Sequence, residues 1–134
     1  MRGGAISAAG TCRDSVIAPC ILVIDDDASI RDLYATILRG EGYRVETAID
    51  GQDGLNQLGC GPDLIMLDLM MPFMDGSEFL RRLRRLAQHE RTPVLVLSAH
   101  FAGATFTGAQ SVMQKPFDMD VLLGRVSGML APAA

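Results

Sequence analysis

Short strand-like segments alternate with segments of helical periodicity, and this alternation most constrains the fold. The strand-like segments are residues 21–24, 43–48, 64–67, 94–97 and, more weakly, 111–114. Three of them, at 21–24, 64–67 and 94–97, are continuously apolar, which is typical of strands covered on both faces. Strands that alternate with helices predict an α/β protein with a doubly wound parallel sheet.

Helical periodicity follows the first two predicted strands. Apolar residues recur at three- and four-residue spacing through Ile30, Leu33, Tyr34, Ile37 and Leu38. This spacing predicts an amphipathic helix that ends near Gly40 or Gly42. Residues 51–58 predict a second, short helix, which Gly54 weakens.

Two further helices are predicted in the second half of the chain. Asp75 and Glu78 have the spacing of a capping box. The helix behind them has an apolar face of Phe79, Leu83 and Leu86, and a face predicted to be solvated, with Arg81, Arg82, Arg84 and Arg85. The last helix follows Asp118 and carries Leu122, Val126 and Met129.

Length and charge narrow the class of protein. The 134 residues, 49% hydrophobic and 21% charged, suffice for one globular domain, assigned to residues 20–130. Residues 1–19, rich in Gly, Ala and Ser, and residues 131–134 are predicted to be flexible tails. The net charge of −4 shows no basic excess, so nucleic acid is not an expected partner. No apolar run approaches the roughly 18–20 residues of a membrane span.

The cysteines give little indication of redox or metal chemistry. Cys12, Cys20 and Cys60 are odd in number and form no C-x-x-C pair. Their spacing therefore predicts neither a disulfide framework nor a metal site, and a reduced, cytoplasmic setting is expected.

Polar side chains follow four of the predicted strands. They are Asp25, Asp26 and Asp27 after the first strand, Asp68 after the third, Ser98 after the fourth and Lys115 after the fifth. In parallel α/β sheets ligands bind outside the carboxyl ends of the strands. We therefore expect most of these side chains to meet at one edge.

Such a set has the chemistry of phosphoryl transfer. Crowded carboxylates repel one another, and Mg²⁺ relieves this while it keeps coordination positions for other oxygens. A lysine ammonium and a serine hydroxyl can bind phosphate oxygens. One carboxylate remains free to attack phosphorus, in a reaction that depends on positioning and charge neutralisation.

The motifs resemble those of the receiver domain of bacterial two-component response regulators. They are ILVIDDD at 21–27, PDLIMLDLMMPFMDG at 62–76, VLVLSAH at 94–100 and QKPF at 114–117, and they occur in the order expected for the family. The resemblance covers about residues 20–130. The resemblance implies a flavodoxin-like fold of five parallel strands in the order 2-1-3-4-5, an order given for this fold type in general.

The resemblance also implies a role for each site residue. Asp68 would be the phosphoacceptor. Asp26 would bind Mg²⁺ directly, Asp25 would bind it mainly through water, and the backbone carbonyl of Met70 would be a further ligand. The hydroxyl of Ser98 would approach the phosphoryl group, and Lys115 would form an ion pair with that group. Asp27 is interpreted as a helix-start residue. A cis peptide is expected between Lys115 and Pro116.

The implied partners are a sensor histidine kinase or a histidine phosphotransfer protein, and an unknown output protein. The domain would assist its own phosphorylation and dephosphorylation without being a turnover enzyme. Residues 131–134 are interpreted as a tail, so output by protein contact is expected, unless the chain is a piece of a larger protein.

Two departures from the family pattern leave alternatives open. Val112 stands where the family has Tyr or Phe, three residues before the lysine. The segment 99–108 is shorter than the corresponding segment in the family and contains glycines, which predicts a shortened fourth helix or a loop. One alternative is therefore a receiver-fold adaptor that works without phosphorylation. A less favoured alternative is an aspartate phosphatase of the haloacid dehalogenase kind, with Asp25 as nucleophile and Asp27 beside it.

Overall fold

The computed structural model describes residues 18–69, 76–98 and 109–130. Strands and helices alternate from the first strand to the fourth. The elements are β1 (Cys20–Ile24), α1 (Ala28–Gly40), β2 (Arg44–Ala48), α2 (Gly51–Asn56), β3 (Leu64–Asp68), α3 (Gly76–Leu83), β4 (Val94–Ser98), β5 (Ser111–Gln114) and α4 (Met119–Leu130). Single 3-10 turns follow α2 at Gln57–Cys60 and α3 at Ala87–His89.

The strands form one parallel sheet in the order β2-β1-β3-β4-β5. This confirms the predicted fold class and strand order. The register sets Ile24 beside Leu67 and Asp68 beside Leu97. Because all the strands run the same way, their carboxyl ends share one edge, and the residues that follow them are brought together there.

The sheet is covered on both faces, because alternate residues of each strand point to opposite sides. One layer joins Ile21, Val23, Leu64 and Met66 to the buried faces of α1 and α4; the other joins Leu22, Ile24, Ile65 and Leu67 to α3. Burying each such side chain stabilises the fold by about 1.5–3 kcal/mol. The central strands can therefore be continuously apolar.

Gly54 allows α2 to lie close to the sheet. A Cβ at this position would lie 2.5 Å from Cδ1 of Ile24 and 3.0 Å from Cε1 of Phe79. The glycine that weakens the helical pattern in the sequence is therefore a packing requirement.

Three details of the predicted helix faces are wrong. Leu33 is 44% exposed, although the spacing placed it on the apolar face of α1, where Tyr34 and Leu38 are buried. Helix α3 ends at Leu83, so Leu86 lies beyond its apolar face and is 39% exposed. Arg84 is half-buried and does not belong to a solvated face.

Some predictions fall outside the described residues. These are Asp75 of the capping box, the shortened helix or loop at 99–108, and nearly all of both tails. The domain boundaries at 20 and 130 remain predictions. Within the ranges that the structure describes, no helix is both long and apolar enough to span a membrane.

Candidate functional site

Three carboxylates meet at the carboxyl edge of the sheet. Asp25 directly follows β1, Asp26 comes next, and Asp68 is the last residue of β3. One carboxylate oxygen from each lies within 4.8 Å of the others. Asp25 and Asp68 are buried, whereas Asp26 is exposed. At an effective dielectric near 20, unit charges this close repel by roughly 3.5–4 kcal/mol per pair.

The backbone holds Asp25 in this position. Its N–H donates to the carbonyl of Ala48 at 3.1 Å, which continues the β1–β2 ladder by one residue. Its carbonyl accepts a bond of 2.9 Å from Nη1 of Arg31. Hydrogen bonds at both the N–H and the carbonyl of Asp25 therefore fix the backbone from which its side chain extends.

The two carboxylate oxygens of Asp25 differ. Oδ1 accepts a 2.9 Å hydrogen bond from the backbone N–H of Asp27. Oδ2 is buried, and no hydrogen-bond donor in the described part of the chain reaches it. Burial raises the pKa of Asp25, and the Asp27 N–H and the charge of Lys115 oppose that rise. A buried oxygen without a donor is costly unless a cation satisfies it.

Lys115 supplies a positive charge opposite the acids. Its Nζ lies 3.9 Å from Oδ2 of Asp25 and 3.9 Å from Oδ1 of Asp68. The backbone N–H of Lys115 donates to the carbonyl of Ser98 at 2.8 Å, so β4 helps to position it. The peptide bond to Pro116 is cis, which confirms that expectation.

Ser98 lies at the same edge. It is the last residue of β4 and fully buried. The register pairs Asp68 with Leu97, so Ser98 is one residue beyond the acid on the neighbouring strand. The structure thus brings Asp25, Asp26, Asp68, Ser98 and Lys115 to one edge. Met70, whose carbonyl is a predicted ligand, lies outside the described residues.

Asp27 has a different task from its two neighbours. It is the N-cap residue of α1, and its Oδ1 accepts from the N–H groups of Ser29 at 2.9 Å and Ile30 at 3.2 Å. This confirms its interpretation as a helix-start residue.

Two further residues lie beside the site, although the sequence pattern did not indicate them. Arg31 lies between the apolar positions of α1, and its guanidinium group donates to the carbonyl of Asp25. Tyr34 was assigned only to the core, yet burial and the charges of Asp25 and Asp68 raise its pKa to about 12. Its ring stacks on that of Phe117 with centroids 6.4 Å apart, which links α1 to the segment after Lys115. No sequence signal distinguished either residue from an ordinary helix residue.

The donor set fits a small, hard cation. Carboxylate oxygens are the ligands that Mg²⁺ prefers, and it usually binds through one or two carboxylates while it keeps water. The buried Oδ2 of Asp25 faces the same cluster as Asp26 and Asp68 and lacks a hydrogen bond from the described residues. The residues present therefore suit Mg²⁺ on chemical grounds.

Among curated proteins, the chain is similar to transcriptional regulators. It is 42% identical over 119 residues to the DNA-binding dual master transcriptional regulator RpaA of Synechocystis, covering 84% of this chain and 49% of RpaA. It is 38% identical over 117 residues to the transcriptional regulatory protein TrcR of Mycobacterium tuberculosis, covering 82% of this chain and 44% of TrcR. The chain thus spans about half the length of these relatives.

The chain is also similar to solved structures of response regulators. The chemotaxis response regulator CheY4 of Vibrio cholerae matches with a TM-score of 0.79 at 32% identity, over 85% of this chain and all of CheY4. The response regulator TrrA of Thermotoga maritima, solved in complex with Mg²⁺-BeF, matches with a TM-score of 0.75 at 30% identity, over 84% of this chain and 99% of TrrA.

The family model of the response regulator receiver domain matches residues 21–127, a range that holds every residue of the site. With five strands in the expected order and relatives above 30% identity, the chain belongs to the receiver domain family of two-component response regulators.

Proposed function

We propose that the protein is a phosphoacceptor switch that receives a phosphoryl group on Asp68 with the help of Mg²⁺. The observation that carries the proposal is the convergence of the Asp68 carboxylate with those of Asp25 and Asp26 opposite the ammonium of Lys115. Receiver domains are signalling switches, and the intact acidic site supports phosphorylation as the signal here.

In the proposed reaction, an oxygen of the Asp68 carboxylate forms a bond to phosphorus. The bond from phosphorus to its donor breaks, and the donor atom leaves with the electron pair. Lys115 stabilises the negative charge of the phosphoryl oxygens, and the Ser98 hydroxyl donates to one of them. Bound Mg²⁺ would neutralise charge between the acids and the incoming phosphoryl group.

We assign the cation to Asp25, Asp26, Asp68 and the backbone carbonyl of Met70. The buried Oδ2 of Asp25, which accepts no hydrogen bond from the described residues, is structural support for this assignment. The structure of TrrA, which is 30% identical to this chain and was solved in complex with Mg²⁺-BeF, also supports the assignment.

The proposed donor is a phosphohistidine on a sensor histidine kinase or a histidine phosphotransfer protein. Receiver domains act with histidine kinases and output domains, which supports this class of partner. RpaA, which this chain covers by 49%, is named as a DNA-binding protein. Contact with protein instead of nucleic acid, and a cytoplasmic location, are predictions for this receiver domain.

The geometry of Asp27 disfavours the phosphatase alternative. That mechanism requires Asp27 to face the substrate beside a nucleophilic Asp25, but its carboxylate caps α1 through Ser29 and Ile30. The adaptor alternative is separated from the switch by the experiment below.

The test is to incubate the protein with Mg²⁺ and acetyl phosphate and to measure its intact mass. We expect the mass to increase by one phosphoryl group, and we expect hydroxylamine to remove the label because an acyl phosphate is formed. The Asp68→Asn variant should acquire no label.

Asp50→Asn is the matched control. Asp50 also follows a strand, at the carboxyl end of β2, but it caps α2 through the N–H of Asp53 at 2.8 Å. Asn caps about as well as Asp, so this variant should fold and take up label normally. Labelling that persists in Asp68→Asn would refute Asp68 as the acceptor. If the wild-type protein is labelled neither by acetyl phosphate nor by phosphorylated kinase, the adaptor alternative is correct.

A further inference from the structure

Two cysteines that are 40 residues apart in sequence lie side by side at the opposite edge of the sheet. Cys20 is the first residue of β1 and is 1% exposed. Cys60 is the last residue of the 3-10 turn after α2 and is partly exposed. The Sγ of Cys20 lies 3.7 Å from the Sγ of Cys60.

A short loop holds this pair together. After Cys60, Gly61 adopts a left-handed conformation at φ 68° and turns the chain back towards β1. Asp63 then forms two hydrogen bonds with the backbone of Cys20. Its N–H donates to the Cys20 carbonyl at 2.7 Å, and its Oδ2 accepts from the Cys20 N–H at 2.8 Å. These bonds hold the backbone of Cys20, and the turn at Gly61 places Cys60 beside it.

We propose that Cys20 and Cys60 form a reversible disulfide when the protein meets a thiol oxidant. The sulfurs need to approach by about 1.7 Å to reach the bonded distance of roughly 2.05 Å. Because Cys60 ends a single 3-10 turn and is partly exposed, it can make this movement and can also be reached from solvent.

The reaction balances with a small-molecule disulfide such as oxidised glutathione. Cys60 loses its proton and attacks the oxidant, which forms a mixed disulfide and releases one glutathione thiolate that takes up a proton. Cys20 then loses its proton and attacks the Sγ of Cys60, which releases the second glutathione. The two cysteines are oxidised by two electrons, and two molecules of glutathione are formed.

The surroundings of Cys60 set the rate. Burial, the neighbouring Cys20 thiol and the charge of Glu46 raise the pKa of Cys60 to about 12. The thiolate is therefore scarce at neutral pH, and exchange is slow there. The experiment is accordingly run at mildly alkaline pH.

The disulfide would act independently of the acidic site. Cys20 begins β1 and Asp25 follows its last residue, so about 16 Å of extended chain separates the two edges. Closing a loop from Cys20 to Cys60 restricts the unfolded chain over β1, α1, β2 and α2. The oxidised form should therefore unfold at a temperature about 10 °C higher and still be labelled on Asp68.

The test uses a Cys12→Ser variant, which removes the remaining cysteine. This protein is incubated with oxidised glutathione, and intact mass, free thiols and a non-reducing peptide map are measured. We expect a loss of two hydrogens, no free thiol, a linked peptide containing Cys20 and Cys60, and reversal by dithiothreitol. The matched control adds Cys60→Ser, which should keep one free thiol and show no such loss.

Two results would overturn the proposal. One is glutathione that remains attached to Cys60 without closure onto Cys20. The other is a protein whose two thiols stay free after prolonged oxidation. Either would make the pair a packing contact between small apolar side chains.

Discussion

The ammonium nitrogen of Lys115 lies 3.9 Å from a carboxylate oxygen of Asp25 and 3.9 Å from one of Asp68. At this distance the ammonium partly neutralises the negative charge of both carboxylates, although 3.9 Å is longer than a normal hydrogen bond. The ammonium therefore competes with a divalent cation for the same negative charge. It also attracts the phosphoryl oxygens, so its two effects on the reaction are opposite in sign.

Replacing Lys115 with alanine should separate these effects. We expect Mg²⁺ to bind up to about fivefold more tightly, because a partly exposed ion pair contributes roughly 0–1 kcal/mol. Phosphorylation by acetyl phosphate should slow by at least about tenfold, because charge stabilisation of the transferring group is lost. Calorimetric Mg²⁺ titration and a mass-spectrometric time course measure the two quantities.

The control for Lys115→Ala is Arg44→Ala, which removes an exposed cation at the amino-terminal end of β2. It should leave both Mg²⁺ affinity and labelling rate unchanged. Weaker Mg²⁺ binding in Lys115→Ala would show that the ammonium supports the cation site instead of competing with it.

Asp25→Asn should stabilise the protein in the absence of divalent cations. Burial raises the pKa of Asp25 in the folded protein, so folding favours its neutral form and the ionised form is destabilising at neutral pH. The amide removes that charge, and we expect a gain of about 1 kcal/mol in the free energy of unfolding. The gain should shrink as the pH falls towards the raised pKa, because the wild-type carboxyl then takes up a proton.

Urea unfolding in the presence of a chelator, at neutral pH and in mildly acidic buffer, measures this difference. Added Mg²⁺ should raise the stability of the wild-type protein and have little effect on Asp25→Asn, because a ligand stabilises only a state that binds it. Asp32→Asn, at an exposed position of α1, is the control and should change stability by less than about 0.5 kcal/mol. A wild-type protein more stable than Asp25→Asn without cations would contradict the prediction.

The sheet and most of the site were predictable from the sequence because both follow from burial. A strand covered on both faces must be continuously apolar, so the polar residue that ends it is visible, as with Asp25 after Ile24 and Asp68 after Leu67. The predicted strand ends differ from the observed ones by a single residue at most. The parallel topology then brings these residues to one edge.

What the sequence did not reveal depends on how loops place long or flexible side chains. Arg84 carries the same charge as its neighbours, and its position in the helical pattern predicts that it is solvated like them. Only the fold brings the carbonyl of His89 and the side chain of Gln110 within its reach. The pairing of Cys20 with Cys60 was missed for a similar reason, because it depends on the turn at Gly61.

Gly54→Ala should destabilise the protein, although alanine is the better helix former. The new Cβ would lie 2.5 Å from Cδ1 of Ile24 and 3.0 Å from Cε1 of Phe79, so core side chains must move. Overpacking of this kind costs about 1–3 kcal/mol. Thermal and urea unfolding measure the loss.

Gly124→Ala is the matched control for this change. Gly124 lies inside α4, and nothing would lie within 4 Å of its added Cβ. Alanine should therefore stabilise the protein there by up to about 1 kcal/mol. The two substitutions should change stability in opposite directions, and equal gains would show that α2 has room at Gly54.

Arg84→Ala should cost stability because its guanidinium group joins three parts of the fold. Nη1 donates to the carbonyl of His89 at 2.7 Å, and Nη2 donates to Oε1 of Gln110 at 3.1 Å. The same Oε1 accepts from the N–H of Val94 at 2.8 Å, at the start of β4. Loss of two charge-assisted bonds at a half-buried position should lower the free energy of unfolding by about 1.5–3 kcal/mol.

Arg85→Ala provides the comparison, since Arg85 is the exposed neighbour with the same charge and side-chain length. Its replacement should change stability by less than about 0.5 kcal/mol. Hydrogen exchange locates the effect: in Arg84→Ala the amide of Val94 should lose protection, because Gln110 is no longer held in place, whereas amides of β1 should not. Equal losses in the two variants would mean that the arginine contributes charge alone, and that its contacts with His89 and Gln110 do not fix the start of β4.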